Sequence, residues 1–379
     1  MKGKQGLVCM GLLLVLSSCS CHTGKQITAS GLQRKDFQTE VNGQHTDLFT
    51  LSNKQGMEVC ITNYGARVVS ILVPDRNGKR EDVVCGFSTI TEYMEQRQNF
   101  GSTVGRYIGR ILNARFTLDG VEYKLVPNNG KSGHISHGGN PGFADRIWKV
   151  EQADTHRVRL SYLSPDGENG FPGNLKVTLV YSLGEDDNAL DLTYEATTDA
   201  PTVLNLSHHS FFNISGNFTK SVEDQQLWVD ADRFTPYDDK KCVTGEYLLV
   251  AGTPLDFRMP HTIGECIDAD HPQLKVVNGY DHTWELNTKG DDTRPAAWVY
   301  DPASGRKMEI FTTEPGMQIY TGNGLKGKMT GKGGIAYPFR SAVCFETMHF
   351  QDSPNQPGFP STVLRPGEVF RSHTVYKFE

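Results

Sequence analysis

LKVTLVYSL, residues 175–183, places a large apolar side chain at every second position. The same period of two returns in LDLTYEA, residues 190–196. Such a period puts one face of a strand in the core and the other in water. Asp119-Gly120, between two further strand-like runs, is typical of a two-residue hairpin turn. Because short strands and turns dominate, the sequence predicts an all-β fold, a large antiparallel β-sandwich, with one brief helix at Thr91–Gln98.

The first residues have the pattern of an export signal. Two lysines precede an apolar run over residues 7–16, which is too short to span a membrane as a helix. The run ends in Leu16-Ser17-Ser18-Cys19, which resembles a bacterial lipobox with Cys19 as the acylated first residue of the mature chain. We therefore expect an exported, membrane-anchored lipoprotein. An ordinary cleaved signal with a secreted product is the alternative.

This pattern and the composition together divide the chain and bound its partners. A lipoprotein signal peptide is expected over residues 1–18, a lipid-anchored tether over residues 19–32 and a single β domain over residues 33–379. The net charge is -6 and no basic block is present, so nucleic acid is not expected as a partner. No repeat or interdomain linker interrupts the domain, and a monomer or weak dimer is expected.

Ala342–His349, with sequence AVCFETMH, reads as a buried strand that carries a single carboxylate, Glu346. An ionised carboxylate removed from water is costly unless it is paired, and burial raises its pKa toward neutrality. Proton abstraction is the task that suits such a group. A structural pair with an arginine is the alternative for Glu346.

Four polar stretches interrupt the strand pattern: Gly105–Ile111, His134–Gly139, Asn205–Asn213 and Asn278–Trp284. In the third stretch a period of two turns His209 to the face opposite His208, together with an aromatic ring and an amide. Polar groups beside an aromatic ring suit a sugar, because the ring covers the C–H patch while the polar groups meet the hydroxyls. Taken singly, each stretch is equally consistent with solvated arginines, a surface histidine or an Asx turn.

As an ordered set, these stretches resemble the aldose 1-epimerase (galactose mutarotase) family over residues 49–378. The matching residues are Gly105-Arg106 through Arg110-Ile111, His137-Gly138-Gly139, Gly142-Phe143 with Trp148, His209–Asn213, Gly279–His282, Thr312–Asn323 and Phe345-Glu346-Thr347. The resemblance implies the supersandwich fold of that family. It also implies an isomerase that interconverts the α and β anomers of free aldoses such as glucose and galactose, with no cofactor.

Carried over position by position, the resemblance implies Glu346 as general base and His209 as general acid. It places His137 near the ring oxygen, and it gives Arg110 and Asp281 as ligands of sugar hydroxyls. It also places Glu314 where family members contact the sugar.

Two positions depart from the pattern of the family. Gly109 stands where the family often has Asn, so one sugar contact is expected to be lost or replaced. Ala144 stands where the family has Asp, with Asp145 one place late, so this loop is expected to differ.

Three other functions stay open at this point. A glycoside hydrolase would pair Asp281 or Glu314 with Glu346, but the two histidines suit ring opening better. A non-catalytic sugar-binding lipoprotein is a second alternative, but it would not need the acid and base residues Glu346, His137 and His209. A metal site from His137, His209 and His282 has no recognised spacing, and the cysteines show no CxxC pattern, so no metal is expected.

Overall fold

The computed structural model describes residues 26–379. Its largest element is an antiparallel sheet of nine strands, which we call the outer sheet. In spatial order its strands are Lys149–Ala153, Arg157–Ser164, Leu175–Leu183, Ala189–Thr198, Phe370–Phe378, Lys307–Thr312, Ala297–Tyr300, Gln226–Val229 and His261–Thr262. The alternation predicted at residues 175–183 and 190–196 is confirmed, since every second residue of both strands is buried.

A six-stranded antiparallel sheet, which we call the central sheet, contributes to the same core. Its strands in spatial order are Phe211–Phe212, Val343–Met348, Gly316–Tyr320, Asp281–Glu285, Arg233–Thr235 and Leu248–Leu249. A four-stranded sheet precedes it in the chain, with strands Leu48–Ser52, Glu58–Thr62, Arg67–Pro74 and Arg80–Asp82. All six residues of Val343–Met348 are buried, which explains why this strand shows no alternation of apolar and polar residues.

Short strand pairs and helices connect these sheets. The pairs are Glu40–Val41 with Gln44–His45, Ser102–Val104 with Ser207–His209, Arg110–Ile111 with Ile135–Ser136, Arg115–Leu118 with Val121–Lys124, and Thr202–Val203 with Val363–Leu364. The α-helices are Ile90–Gln96 and Pro272–Val277. Short 3₁₀ helices cover Arg34–Phe37, Leu112–Ala114, Gly130–Ser132, Phe143–Asp145, Glu168–Gly170, Lys332–Gly334 and Ser353–Asn355.

Two local predictions can be compared with these elements. The hairpin at Asp119-Gly120 is confirmed, because Leu118 pairs with Val121 across the turn. The helix expected near residues 91–98 forms, but the expectation that it is the only one is wrong. A second helix begins at Pro272, whose fixed φ suits the first turn, and the side chain of His271 caps it. Six residues are too few to give a clear helical period in the sequence.

The core lies between the outer and central sheets, where apolar side chains of both form one cluster. Tyr376 of the outer sheet donates a hydrogen bond from its hydroxyl to the carbonyl oxygen of Phe345 in the central sheet, at 3.0 Å. This contact ties the strand of Glu346 to the sheet behind it. The central sheet is thus packed on the outer sheet through one face, and its other face is free to carry polar side chains.

The start of the domain differs from the boundary predicted after residue 32. Ala29 donates its backbone N–H to Glu58 Oε1 at 2.7 Å, and Leu32 is buried. Ile27 bridges to Gln33. Residues 26–32 therefore pack on the domain instead of belonging to a tether. The predicted signal peptide over residues 1–18 and the acylated Cys19 lie outside the described residues.

Within residues 26–379, no helix has the length and apolar character needed to cross a membrane.

Candidate active site

The floor of the site is a row of polar side chains on three neighbouring strands of the central sheet. Gln318 lies directly opposite Glu346, and Thr283 lies directly opposite Gln318. Side chains at paired positions share one face of a sheet. Thr283 Oγ1 donates to Gln318 Oε1 at 2.5 Å, and Gln318 Nε2 donates to Asp281 Oδ1 at 2.6 Å. The strand register thus places the carboxylates of Asp281 and Glu346 on either side of the Gln318 amide.

His209 reaches Glu346 from an adjoining strand pair. Ser207–His209 pairs with Ser102–Val104, and the chain then enters the central sheet at Phe211–Phe212. This path brings His209 Nε2 to 3.2 Å from Glu346 Oε1. Both side chains are buried, with 8% and 5% of their side-chain surface exposed. The structure therefore brings together the two residues that the sequence singled out as acid and base.

Burial decides the protonation of this pair. Desolvation raises the pKa of Glu346 well above its usual range; repulsion from Asp281 adds to this effect and Arg110 opposes it. Desolvation also lowers the pKa of His209, to about 4. Desolvation thus favours the uncharged form of both side chains, and the 3.2 Å separation lets a proton pass from one to the other. That proton gives the pair one acid and one base.

Arg110 and Asp281 supply the charged part of the wall. Arg110 lies opposite Ser136 in its strand pair. Burial opposes the charge of Arg110, but Tyr237 and Asp281 together outweigh burial and raise its pKa. Burial raises the pKa of Asp281, while Arg110 and the hydrogen bond from Gln318 oppose the rise. Arg110 is therefore a permanent hydrogen-bond donor beside two carboxyl groups, which suits the recognition of vicinal hydroxyls.

These side chains surround a cavity of about 240 Å³. Its lining contains five of the six residues predicted to form the site and six others. The predicted residues are Arg110, His137, His209, Asp281 and Glu346, and the others are Gly109, Ser136, Gln318, Tyr320, Met348 and Gln351. Polar groups therefore converge from several elements on a space that one aromatic ring and one thioether also touch. This combination suits a small polyhydroxy ligand.

His137 forms the wall beside His209. Its ring meets that of His209 edge to face, with 5.4 Å between the ring centroids. The following residue must be glycine: Gly138 has φ of +78°, and a Cβ atom there would lie 1.9 Å from the carbonyl oxygen of Gly105. Desolvation lowers the pKa of His137 to about 3. Its buried Nδ1 atom has no hydrogen-bond partner among residues 26–379.

The structure does not bring Glu314, which the sequence assigned to substrate binding, into the cavity. Gly316 pairs with Met348, so Glu314 precedes its strand and lies beyond the end of the strand that carries Glu346. There its Oε2 atom is 2.7 Å from Nδ1 of His349, and only 2% of its side-chain surface is exposed. Glu314 is a buried structural partner of His349, and the assignment to the sugar site is corrected.

Sequence reasoning missed Gln318, Tyr320 and Gln351 as lining residues. Gln318 carries a signal that was available, because it is a polar residue inside a buried and otherwise mainly apolar strand, as Glu346 is. Gln351 lies in a loop after the strand Val343–Met348, where no periodicity indicates which way a side chain points. Its position follows only from the tertiary fold.

A set of side chains that could hold a metal ion lies at the cavity and beside it. Atoms of His209, Cys344 and Glu346 lie within 4.8 Å of one another. Burial and the neighbouring Glu346 raise the pKa of the Cys344 thiol well above its usual range, and a protonated thiol is a poor ligand. His282 is fully buried and is not among the residues that line the cavity. The three histidines considered as an alternative metal site therefore do not meet at this cavity.

Comparison with known proteins gives a consistent result. The family model of aldose 1-epimerase matches residues 47–377. The chain is 40% identical to galactose mutarotase of Bos taurus over 331 residues, which are 87% of this chain and 93% of that protein. It is 36% identical to aldose 1-epimerase of Escherichia coli (strain K12) over 339 residues, 89% and 96% of the two chains.

Solved structures show the same fold. An aldose epimerase homologue from C. elegans superposes with a TM-score of 0.81 at 31% identity, covering 88% of this chain and 99% of that one. Galactose 1-epimerase from Lactobacillus acidophilus NCFM gives a TM-score of 0.78 at 28% identity, covering 90% and 97%. The predicted all-β, mutarotase-like architecture is confirmed. With a family match over most of its length and relatives well above 30% identity, the chain belongs to the aldose 1-epimerase family of isomerases.

Proposed function

We propose that this enzyme interconverts the α and β anomers of free aldoses, such as glucose and galactose, by acid–base opening and reclosure of the ring. The observation that carries the proposal is the contact of 3.2 Å between His209 and Glu346 within a polar cavity. Family membership supports the reaction type, and the cavity supports a single sugar ring as substrate.

Ring opening needs two proton transfers that balance. Glu346 accepts the proton of the C1 hydroxyl, the bond between C1 and the ring oxygen breaks, and C1 becomes an aldehyde carbon. His209 delivers its proton to the ring oxygen, which receives the electron pair of the broken bond. Because the two groups are 3.2 Å apart, a proton that passes from Glu346 to His209 gives the form with ionised Glu346 and protonated His209 without taking a proton from water.

Reclosure uses the same groups in reverse. Rotation about the C1–C2 bond presents the other face of the aldehyde to the hydroxyl group that was formed from the ring oxygen. His209 accepts the proton of this hydroxyl as its oxygen attacks C1, and Glu346 returns a proton to the aldehyde oxygen. The sugar is neither oxidised nor reduced and no group is transferred, so the proposed chemistry requires no cofactor. Each assisted proton transfer contributes a factor of about 10²–10⁴ to the rate.

Binding is assigned to the wall around the pair. Arg110 donates to hydroxyl oxygens, whereas Asp281 accepts from hydroxyl groups. His137 contributes its ring to the wall beside His209. The ring of Tyr320 and the thioether of Met348 supply the apolar contacts for the C–H groups of the sugar.

Polarimetry tests this function directly. Freshly dissolved α-glucose and α-galactose approach their equilibrium rotation slowly, and the protein is expected to accelerate that approach without changing the final rotation. Protein that binds the sugar and leaves the rate unchanged would support the non-catalytic sugar-binding lipoprotein instead. Release of reducing ends from oligosaccharides would support the glycoside hydrolase.

We further propose that the enzyme is exported and held at a membrane by an acylated Cys19, as the lipobox-like segment suggests. Labelling of bacteria with a radioactive fatty acid tests this proposal. The wild-type chain is expected to carry label and to sediment with membranes, and Cys19→Ser is expected to do neither. An unlabelled wild-type chain would favour a cleaved signal and a secreted product. A monomer or weak dimer stays a prediction, to be tested by sedimentation.

A further inference from the structure

Gly109 and Gln351 share one space at the wall of the cavity. Gly109 has φ of +76°, and a Cβ atom built on it would lie 2.5 Å from Cγ and 3.1 Å from Cδ of Gln351. These distances are too short for two carbon atoms, so a side chain at position 109 and the present side chain at position 351 exclude each other. Both residues line the cavity, and Gln351 is 4% exposed.

The backbone holds this arrangement in register. Asp352 donates its backbone N–H to the carbonyl oxygen of Arg110 at 2.8 Å, and Leu112 donates its N–H to Asp352 Oδ1 at 2.9 Å. The segments around Gly109 and Gln351 are therefore joined next to the cavity. Gly109 also accepts the backbone N–H of His137 at 2.9 Å, so the same glycine positions the imidazole wall.

The neighbours of Gln351 fix the orientation of its amide. The backbone N–H of Arg110 is a donor, and it meets Oε1 of Gln351 at 3.3 Å. Nε2 therefore points the other way, where it donates to the hydroxyl oxygen of Tyr237 at 2.6 Å and to Oε1 of Gln318 at 3.3 Å. Both amide hydrogens are used. Oε1 retains one lone pair, so an acceptor is what Gln351 has left to offer a ligand.

From this geometry we infer that Gln351, in the space left free by Gly109, is a specificity-determining residue that accepts a hydrogen bond from one hydroxyl of the bound aldose. It replaces the contact that a side chain at position 109 would make. The inference rests on the proposed function and deepens it, because it assigns a contact with the sugar to a side chain that the sequence did not single out.

The same side chain also positions its neighbours. The hydrogen bonds from Gln351 to Gln318 and from Gln318 to Asp281 link this wall to a carboxylate of the site. Tyr237 takes part in the same network through Gln318 Nε2, at 3.4 Å from its hydroxyl oxygen. Substitution of Gln351 is therefore expected to act on sugar recognition more than on the proton transfers between His209 and Glu346.

The test pairs a protein variant with a series of substrates. Wild type and Gln351→Met, which has a similar length and no amide, are assayed by polarimetry on glucose and on its 2-, 3-, 4- and 6-deoxy analogues. With wild type, the deoxy analogue at one position is expected to have a kcat/KM at least about tenfold lower than that of glucose. With Gln351→Met, the same analogue is expected to lose less than about threefold relative to glucose. The difference is expected mostly in KM. Equal losses with both proteins at every position would overturn the inference.

A second series tests the shared space. Gly109→Asn is expected to lower kcat/KM by about tenfold or more in wild type, because its Cβ displaces Gln351, and by less than about threefold in a Gln351→Gly background. Asparagine is chosen because it tolerates positive φ better than other residues with a side chain. Costs that simply multiply in the double variant would overturn the exclusion argument. Thermal unfolding of each variant shows that it is folded.

Failure of the inference is distinguishable from failure of the proposed function. Wild-type protein that does not accelerate mutarotation of any aldose overturns both. Wild-type protein that is active, with deoxy penalties that Gln351→Met leaves unchanged, overturns the role of Gln351 alone.

Discussion

Among the histidines that contact carboxyl groups, His209 and His373 have pKa values shifted in opposite directions. His209 lies 3.2 Å from Glu346 inside the cavity, and desolvation lowers its pKa to about 4. His373, on the outer sheet, lies 2.7 Å from Asp191 and 2.6 Å from Asp292. The hydrogen bond to Asp191 and that to Asp292 raise its pKa to about 9, against a smaller effect of desolvation.

The difference shows what the cavity contributes. On the outer sheet, where about a third of the His373 side chain is exposed, water stabilises the charges and the contacts are ion pairs. In the cavity, the cost of removing charge from water exceeds the attraction within the pair. His373 keeps its proton between pH 6 and 8, so its ion pairs stabilise the fold. The pair of His209 and Glu346 is able to exchange a proton with a substrate.

The largest expected effect comes from removing the base. Glu346→Gln keeps the size and hydrogen-bonding capacity of the side chain and removes its ability to accept a proton. The acceleration of mutarotation is expected to fall by about 10³-fold or more. Polarimetry with freshly dissolved α-galactose measures it. If Glu346→Gln retains the wild-type rate, Glu346 is not the base.

Removing the acid is expected to cost somewhat less. His209→Asn keeps a polar side chain in the wall, but water must then protonate the ring oxygen, so kcat is expected to fall by about 10²–10³-fold. Calorimetry is expected to show that the variant still binds galactose, because Arg110 and Asp281 are unchanged. A loss confined to binding would contradict the role of His209 as an acid.

His349 and Glu314 provide the matched control, because they form a partly buried histidine–carboxylate contact outside the cavity. His349→Gln is expected to lower the free energy of unfolding by about 1–3 kcal/mol, since it weakens a buried polar contact. It is expected to change kcat by less than about threefold. Urea unfolding and polarimetry measure the two quantities. A large loss of kcat at full saturation with sugar would return Glu314 to the site.

The smallest effect concerns His373. Its pKa is raised from the ordinary 6.5 to about 9 in the folded state, so its contribution to stability is complete below about pH 6.5 and is lost as pH rises through 9. After allowance for solvent screening, we expect a loss of about 1–2 kcal/mol across this window. Urea unfolding at pH 6 and pH 9.5 measures it. His373→Gln is expected to remove this part of the pH dependence, and an unchanged dependence would contradict the assignment.

Much of the fold could be predicted because a period of two is a local property. It located Leu175–Leu183, and it indicated that His209 faces away from His208, whereas the strand of Glu346 was predicted from its buried, mainly apolar run. His208 indeed turns toward the core, where Nε2 lies 2.6 Å from Ser210 Oγ. The family resemblance then supplied the roles of residues that are far apart in the chain.

The remaining features depend on contacts that have no local signature. Glu314 and Gln318 are four residues apart, and only the register against the strand of Glu346 shows that Gln318 enters the cavity and Glu314 pairs with His349. Gln351 reaches the wall because Gly109 leaves room for it, which is a fact about two distant segments. The sequence indicated that Gly109 was unusual, and the structure shows which side chain takes its place.

The most direct test is a single pH titration of protein labelled with ¹⁵N in its histidines, with signals assigned through His209→Asn and His373→Gln. We predict that His209 is neutral at pH 7 and takes up a proton only near pH 4, while His373 stays protonated up to about pH 9. A protonated His209 at pH 7 would show that the pair rests as an ion pair with Glu346, and it would contradict the conclusion that desolvation in the cavity outweighs the attraction within the pair.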